Sequence, residues 1–300
     1  MSFIIDKNTR LLVQGITGKE GLKSAKEMKD YGTKVIAGVT PGKGGQEAEG
    51  IPVFNTVKEA LEKFPEINAT LIYVPPTGAK DAVIEAISNG IKLAVVFTEK
   101  ISMLDTATMF AYAKKNNARV IGPSSVGIIS PGKAKIGSIG GGNPDRVFAK
   151  GNAALLSKSG GMTSEIAWIL KQAGIGISTA AGLGGDMIAC TTFADLLPLV
   201  HQDHETKALV IFGEIGGTYE QELAQKIKET RFKKPVVAFI SGAFAETVKS
   251  DVTLGHAGAI ISDGGNGSSK EKKEALLAAG VKIAEIPDDI PLLIKKALAQ

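Results

Sequence analysis

Short apolar runs alternate with amphipathic stretches along the first part of the chain. Runs typical of buried strands occupy residues 11–15, 34–40, 70–74, 92–98 and 119–122. Stretches with helical periodicity lie between them. Such alternation is typical of a parallel sheet with helices on both faces, so we predict an α/β domain.

The pattern is interrupted between residues 124 and 151, where prolines and the run Gly140-Gly141-Gly142 replace the alternation. We interpret this stretch as a linker. Alternation then resumes, with runs at residues 153–156, 175–181, 208–212, 235–240 and 281–286. The predicted organisation is an α/β domain over residues 1–123, the linker over 124–151, and a second parallel-sheet domain over 152–300, in which residues 255–267 form a glycine-rich loop.

Composition narrows the class of protein. Of the 300 residues, 44% are hydrophobic and 22% are charged, which is typical of a soluble globular protein. No apolar run approaches the roughly 18 residues of a membrane helix, and the N-terminus lacks the features of a signal peptide. The single cysteine, Cys190, excludes an intrachain disulfide and indicates a reducing cytoplasm.

Charge and glycine content point to a small ligand. The net charge of +4 is mild and only 5% of residues are aromatic, so nucleic acid is not expected as a partner. The 36 glycines are the unusual feature, because glycine is frequent where the backbone approaches ligand phosphates.

A glycine loop follows the first predicted strand and opens the first helix. Its glycines are Gly15, Gly18 and Gly21, in the spacing G-x-x-G-x-x-G. A helix N-terminus there offers N–H groups and a positive dipole end to a phosphate. A tight turn that binds no ligand has the same pattern, so the spacing alone leaves both interpretations open.

The end of the second predicted strand separates two classes of ligand. An NAD site needs a carboxylate there to hold the ribose hydroxyls. Residues 38–45 contain no carboxylate, but they carry Lys43 on a glycine loop. A lysine suits an additional phosphate, as in the ADP moiety of coenzyme A or in NADP, although a solvated loop lysine is the alternative.

The three histidines fall into two groups. His201 and His204 flank Asp203, where a solvated helix end is favoured over a metal site, so no metal ligands are predicted. His256 lies among small residues and is accessible to a ligand as a nucleophile or phosphate carrier, unless it caps a helix or is buried. Glu214, on a further glycine loop, can accept a hydrogen bond from an imidazole and fix its tautomer. The alternative is a carboxylate at a helix N-terminus, where the helix dipole favours a negative charge.

These segments together resemble the α subunits of the succinyl-CoA synthetase and ATP-citrate lyase superfamily, the ADP- or GDP-forming acyl-CoA ligases. The resemblance covers nearly the whole chain and rests on residues 15–21, 39–45, 121–123, 213–217 and 255–259. It implies a CoA-binding Rossmann-like domain followed by a flavodoxin-like ligase domain. It also implies a partner β subunit with an ATP-grasp nucleotide site for ATP and Mg²⁺.

The resemblance assigns roles to individual residues. His256 would be phosphorylated by the nucleotide and pass the phosphoryl group to a carboxylate, and CoA would attack the acyl phosphate. Glu214 would orient His256. The residues matched to CoA contacts are Thr17, Gly18, Lys19, Glu20, Lys43, Phe97, Thr98 and Glu99. The residues of a substrate and phosphate cradle are Ser159, Gly160, Gly161 and Ser164.

Departures from the succinate branch favour citrate as the acid. Gly161 stands where that branch has Thr, and Ser164 stands where it has Tyr, which enlarges the site for a tricarboxylate. Because the chain ends at Gln300, without a citryl-CoA-cleaving domain, we predict a citryl-CoA-forming synthetase. The alternatives are a succinyl-CoA synthetase α subunit, an NADP-dependent oxidoreductase and a non-catalytic CoA-binding regulator.

Overall fold

The computed structural model describes residues 4–244, 256–260 and 267–299. They form two compact units. The N-terminal unit comprises Ile5–Pro144 and Ile188–Thr191, and the C-terminal unit contains the described residues of Asp145–Met187 and Thr192–Gln300. No helix among the described residues is long and apolar enough to span a bilayer.

The N-terminal unit has the strand order of a Rossmann fold. Its strands are β1 (Arg10–Gln14), β2 (Lys34–Val39), β3 (Glu47–Ala48), β4 (Ile51–Phe54), β5 (Ala69–Ile72), β6 (Leu93–Val96), β7 (Arg119–Ile121), β8 (Gly127–Ser130) and β9 (Ala134–Gly137). Its helices are α1 (Lys19–Asp30), α2 (Val57–Lys63), α3 (Pro76–Ser88) and α4 (Met103–Lys115). The sheet runs β3-β4-β2-β1-β5-β6-β7, and only the edge pair β3–β4 is antiparallel among these strands.

Burial on both faces explains why the central strands are continuously apolar. Leu11, Leu12 and Val13 in β1 have no exposed surface. The strand order reverses between β1 and β5, which are direct neighbours. In open α/β sheets, ligands bind outside the carboxyl ends of the strands at this reversal. The fold therefore places the first glycine loop, which follows β1, at the expected binding position.

The stretch 124–151, interpreted above as a linker, contains regular structure. β8 and β9 form an antiparallel hairpin. The hairpin is fixed to the turn between α1 and β2, where the Thr33 hydroxyl donates to the Lys135 carbonyl and accepts from the Lys135 N–H. Glycines and prolines concealed this hairpin in the sequence, because they mark turns and interrupt strand periodicity alike. The domain limits given above remain a prediction.

The C-terminal unit has the strand order of a flavodoxin-like fold. Its strands are β10 (Lys150–Ser157), β11 (Ile177–Gly182), β12 (Ala208–Glu214), β13 (Val236–Ser241) and β14 (Lys282–Ala284). Its helices are α5 (Gly160–Gln172), α6 (Phe193–Gln202), α7 (Tyr219–Thr230), α8 (Ser269–Leu277) and α9 (Ile290–Leu298). These strands run parallel in the order β11-β10-β12-β13-β14. The prediction of two α/β domains with parallel sheets is confirmed.

Side-chain caps define where several helices of this unit begin. The Ser159 hydroxyl accepts a hydrogen bond from the Met162 N–H at the start of α5. Thr192 and Asp195 form a capping box at α6, and Ser268 caps α8. Such caps satisfy N–H groups that have no partner within the helix. They place α5 directly after β10, at the carboxyl edge of the sheet.

Candidate active site

The first glycine loop is shaped for a ligand at the N-terminus of α1. Gly15 has a positive φ of 79° and packs on the backbone of Tyr73, 3.0 Å from the position a Cβ would take. A Cβ on Gly21 would overlap the Gly15 carbonyl oxygen. Gly18 is the N-cap residue and provides no side-chain cap. The backbone at this helix start is therefore open to an anion.

The loop that carries Lys43 is held by a residue that the sequence analysis did not single out. The Asn55 side-chain oxygen accepts hydrogen bonds from the N–H groups of Gly42 at 2.9 Å and Gly44 at 3.0 Å. The Lys43 N–H donates to the Thr40 carbonyl, and the Lys43 side chain is exposed. Asn55 thus holds the loop beyond the end of β2, from which the Lys43 side chain extends into solvent.

Thr17, Gly18, Lys19 and Glu20 lie together at the turn after β1 and the start of α1. The Thr17 and Thr40 hydroxyls are 3.2 Å apart, which links this turn to the end of β2 and the Lys43 loop.

Phe97, Thr98 and Glu99 follow β6 at the same edge of the sheet. The Phe97 ring lies 4.6 Å from the ring of Tyr73, between centroids. The buried Thr98 hydroxyl donates to the Val74 carbonyl, so this side chain holds the loop rather than facing a ligand. The proposed CoA residues thus follow three strands of one sheet edge, and their contacts with CoA remain a prediction.

In the C-terminal unit, the predicted cradle lies at the N-terminus of α5. Ser159 caps the helix through Met162. Within the described residues, neither the Gly160 nor the Gly161 N–H meets an acceptor. A Cβ on Gly161 would have nothing within 4 Å, and Ser164 lies half-buried in the next turn. The cradle can accept a carboxylate or a phosphate.

His256 and Glu214 are in direct contact. The imidazole Nδ1 lies 2.6 Å from Glu214 Oε2, at the carboxyl end of β12. A carboxylate only accepts hydrogen bonds, so Nδ1 carries the proton and Nε2 is the ring nitrogen left for chemistry. Glu214 is buried, whereas 38% of the His256 side chain is exposed. The structure thus brings together two residues that the sequence analysis singled out, and their catalytic roles stay a prediction.

The contact between His256 and Glu214 favours the charged form of each residue, so the two pKa values shift in opposite directions. The hydrogen bond with Glu214 raises the pKa of His256 above its usual 6.5, although burial opposes the change. Burial is the largest influence on Glu214 and disfavours its charge, but the hydrogen bond with His256 and the charge of Lys158 outweigh it. The pKa of Glu214 is consequently lowered. Glu214 is therefore a carboxylate at neutral pH.

Two residues beside this pair were not predicted. Lys158 Nζ lies 3.4 Å from Glu214 Oε1 and 5.1 Å from the centroid of the Tyr219 ring. Lys158 is only 3% exposed. Its position immediately before the cradle was the one sequence signal, but a lysine at a strand end more often lies in solvent. The Tyr219 hydroxyl donates to the Met187 carbonyl.

The imidazole packs on a bare stretch of backbone after β11. A Cβ on Gly185 would lie 2.5 Å from His256 Nδ1 and 2.9 Å from Cδ2, so only glycine leaves room for this ring. The Gly258 N–H donates to the Gly185 carbonyl at 3.0 Å, which ties the histidine segment to the same backbone. Gly185 was not predicted, since glycines are frequent in loops of any kind.

A fully buried lysine, Lys272, forms hydrogen bonds with the backbone of the loop that carries Glu214. Lys272 on α8 donates to the carbonyl oxygens of Glu214 at 2.7 Å and Gly216 at 2.6 Å, and it bonds the carboxylate of Glu220. Both Lys272 and Glu220 have no exposed surface. Burial lowers the pKa of Lys272, but Glu220 and the two carbonyls stabilise its charge. This network fixes the backbone that carries Glu214.

The two other histidines lie apart from this arrangement. The His201 ring packs 5.8 Å from the Phe232 ring, between centroids, and both His201 and His204 are exposed. Within residues 4–244, 256–260 and 267–299, no group of three His, Cys, Asp or Glu side chains has the arrangement of a metal site. Of the predicted glycine-rich loop over residues 255–267, residues 255 and 261–266 lie outside the described residues.

Comparison with protein families identifies both units. A model described as a CoA binding domain matches residues 6–100, and a model described as CoA-ligase matches residues 156–282. The first match contains the glycine loop and Lys43, and the second contains the cradle, Glu214 and His256. The alternatives of an NADP-dependent oxidoreductase and a non-catalytic CoA-binding regulator are therefore wrong.

Individual relatives cover the whole chain. The succinate–CoA ligase [ADP-forming] subunit alpha of Aquifex aeolicus is 46% identical over 99% of this chain and 95% of its own length. An ADP-forming sulfoacetate-CoA ligase subunit of Acholeplasma sp. is 45% identical over 99% of this chain and 98% of its own length. An ADP-forming acid–thiol ligase is thus the activity that these relatives share.

A solved structure reproduces the fold. The ATP citrate lyase from Methanothrix soehngenii, in complex with citrate and coenzyme A, superposes with a TM-score of 0.90 over 100% of this chain. This chain spans about half of that protein, 51%, at 24% identity. Identity at this level speaks for the fold and not for the acid that is used.

The expected preference for citrate is not supported. Relatives at 44–46% identity are succinate–CoA ligase α subunits and a sulfoacetate-CoA ligase subunit, whereas the lyase shares 24%. The expectation rested on missing side chains at Gly161 and Ser164. Open space at Gly161 removes a barrier to citrate, but it provides no group that selects citrate over a smaller acid.

Proposed function

This chain belongs to the family of succinate–CoA ligase α subunits, and from that premise we propose that it ligates succinate to CoA through phosphorylated His256. The observation that carries the proposal is the contact between His256 Nδ1 and Glu214 Oε2 at 2.6 Å. It holds the imidazole in the tautomer with a lone pair on Nε2. A half-exposed imidazole with this tautomer fixed is a nucleophile suited to accept a phosphoryl group.

The reaction divides into three transfers. In the first, the Nε2 lone pair attacks the γ-phosphorus of ATP, and the bond to the bridging oxygen breaks to release ADP. In the second, a carboxylate oxygen of succinate takes the phosphoryl group, which leaves Nε2 with its lone pair. In the third, the CoA sulfur attacks the carbonyl carbon of succinyl phosphate, inorganic phosphate departs, and the thiol proton is lost to solvent.

The residues of this chain have separate tasks in these transfers. Glu214 keeps the proton on Nδ1 and stabilises positive charge on the ring, as a carboxylate partner does for other catalytic histidines. We assign the cradle of Ser159, Gly160, Gly161 and Ser164 to the acid or to the phosphoryl group. Its support is the pair of backbone N–H groups of Gly160 and Gly161 at the start of α5, which meet no acceptor within the described residues.

CoA belongs to the N-terminal unit in this proposal. Its phosphates would meet the backbone of Gly18, Lys19 and Glu20 at the start of α1, and Lys43 would pair with a further phosphate. The open helix start and the close packing of Gly15 and Gly21 support this assignment. Thr17, Phe97, Thr98 and Glu99 would line the same site, with Thr98 acting through its backbone.

A partner subunit completes the enzyme in this proposal. Relatives of this chain are named as α subunits, which implies a β subunit. We assign to that subunit the ATP-grasp site with ATP and Mg²⁺ that the sequence resemblance implies. We place the complex in the cytoplasm, where ATP and CoA are available and where a chain with one cysteine needs no disulfide.

The proposal is tested by co-expressing the chain with its β subunit and assaying CoA-thioester formation with ATP. Succinate, citrate and sulfoacetate are offered as separate acids under saturating CoA. We expect the highest kcat/KM with succinate. A higher value with either other acid would overturn the assignment of succinate, and a lack of any thioester with all three acids would overturn the assignment of a small-acid ligase.

A further inference from the structure

Lys158 is the least expected side chain of the site. It follows the last residue of β10, at the carboxyl edge of the sheet, yet it is only 3% exposed. Its Nζ lies against the Tyr219 ring on one side and the Glu214 carboxylate on another. A buried ammonium group is costly unless a negative partner compensates its charge, so its location requires an explanation.

Glu214 uses its two oxygens for two different partners. Oε1 lies 3.4 Å from Lys158 Nζ, and Oε2 lies 2.6 Å from His256 Nδ1. The carboxylate therefore makes its hydrogen bond with the imidazole through one oxygen and lies beside the Lys158 ammonium group through the other, at ion-pair distance. Behind it, Lys272 bonds the backbone of the same residue and is neutralised by Glu220, so Lys158 is the lysine paired with the carboxylate itself.

We propose that Lys158 is a positioning residue for phosphoryl transfer, acting through Glu214 to aim its carboxylate at His256 Nδ1 while limiting the protonation of Nε2. The proposal rests on the proposed function, in which His256 Nε2 accepts the phosphoryl group. The roles of Glu214 and Lys158 follow from their opposite charges. A buried carboxylate without a cation beside it favours the imidazolium, which has no lone pair on Nε2, whereas a carboxylate shared with a lysine still orients the ring but raises the pKa of His256 less.

The charged groups around His256 support this direction. The Glu214 hydrogen bond and carboxylate raise the pKa of His256, and Asp186 acts in the same sense. Lys158 lowers that pKa, as does burial. Lys272 and Glu220 compensate one another behind Glu214. Removing the charge of Lys158 therefore raises the pKa of His256, so a higher pH is needed to free Nε2.

The test compares three variants of the chain in complex with its β subunit. Lys158→Met removes the charge and keeps the volume. Lys158→Arg keeps the positive charge at this position. Lys226→Met is the matched control, because it removes one positive charge from an exposed pair with Glu229 on α7.

The rate of ³²P transfer from ATP to His256 is measured in single turnover between pH 5.5 and 9.

We expect the acidic limb of the pH–rate profile to move upward by about one pH unit in Lys158→Met, which corresponds to a roughly tenfold slower transfer below the limb. At the highest pH the difference should narrow. Lys158→Arg and Lys226→Met should keep the wild-type limb. A titration of the three histidine side chains by NMR should show the same upward shift for His256 alone, with His201 and His204 as internal references.

Two results would overturn the proposal. One is an unmoved limb in Lys158→Met, with or without a uniform loss of rate, because a merely structural role lowers the rate at every pH. The other is an unmoved or lowered pKa of His256 in the NMR titration. Failure of the proposed function looks different, since the wild-type complex would then transfer no phosphoryl group to His256 at any pH.

Discussion

The properties of His256 come from its immediate neighbours. Glu214 fixes the proton on Nδ1, and Gly185 gives the ring a surface on which to lie. The raised pKa of His256 and the lowered pKa of Glu214 describe one ion pair. Its stabilisation is lost as pH rises through the raised pKa of the histidine, and it is lost again as pH falls through the lowered pKa of the glutamate.

Gly185→Ala tests the close approach of the imidazole. The added methyl group would lie 2.5 Å from Nδ1, so the ring must leave Glu214. We expect phosphorylation of His256 to slow by about 100-fold, because small displacements of reacting groups cost rates of this order. Gly78→Ala is the control, since its methyl would meet no atom closer than 3.8 Å. Wild-type phosphorylation by Gly185→Ala would show that the ring does not depend on this contact.

Lys43→Glu tests the role of the first lysine loop. Reversing the charge removes a charge-assisted contact with a CoA phosphate, so we expect the Kd for CoA to rise about 10- to 100-fold by calorimetry. Phosphorylation of His256 should be unaffected, because it takes place in the other unit. Lys7→Glu is a control with the same charge change at another exposed position of this unit. An equal loss in both half-reactions would indicate misfolding.

At the scale of elements, both proposed sites follow one rule. Glycine loops follow parallel strands at the carboxyl edge of each sheet, where a helix begins. The sequence predicted these strands because burial on both faces makes them continuously apolar, as in β1 and β12. It missed the β8–β9 hairpin because glycines lie at its open end and Pro131 and Gly132 form part of its turn. It also missed Lys158, since burial of a lysine depends on partners distant in the sequence.

The network under the Glu214 loop predicts a large contribution to stability. Lys272→Met leaves the carboxylate of Glu220 buried without its partner and removes two bonds to backbone carbonyls. We expect a loss of about 3–5 kcal/mol in the free energy of unfolding. Urea unfolding followed by the fluorescence of Trp168, the single tryptophan, reports on this unit.

The neighbouring lysine provides the control for that measurement. Lys273 pairs with Glu285 at 2.9 Å, but Glu285 is largely exposed. Lys273→Met should therefore cost less than about 1 kcal/mol. Equal losses in the two variants would contradict the view that the buried network holds the Glu214 loop in place.

At the scale of the whole molecule, the chain combines a Rossmann-like unit and a flavodoxin-like unit, and each carries one of the two proposed sites. Several motifs in the right order identified the ligase family from the sequence, and the family models match the segments that contain them. The acid could not be identified in this way. Gly161 and Ser164 indicate only that the cradle has room for a larger acid, and a roomy cradle can also hold a smaller one.

Transfer of phosphate to His256 tests the central claim most directly. The complex with the β subunit is incubated with [γ-³²P]ATP, and the chain is examined for a label that is labile in acid and stable in base. We predict such a label on the wild type, its release on addition of succinate and CoA, and its absence together with all turnover in His256→Asn. A labelled or active His256→Asn complex would contradict the account.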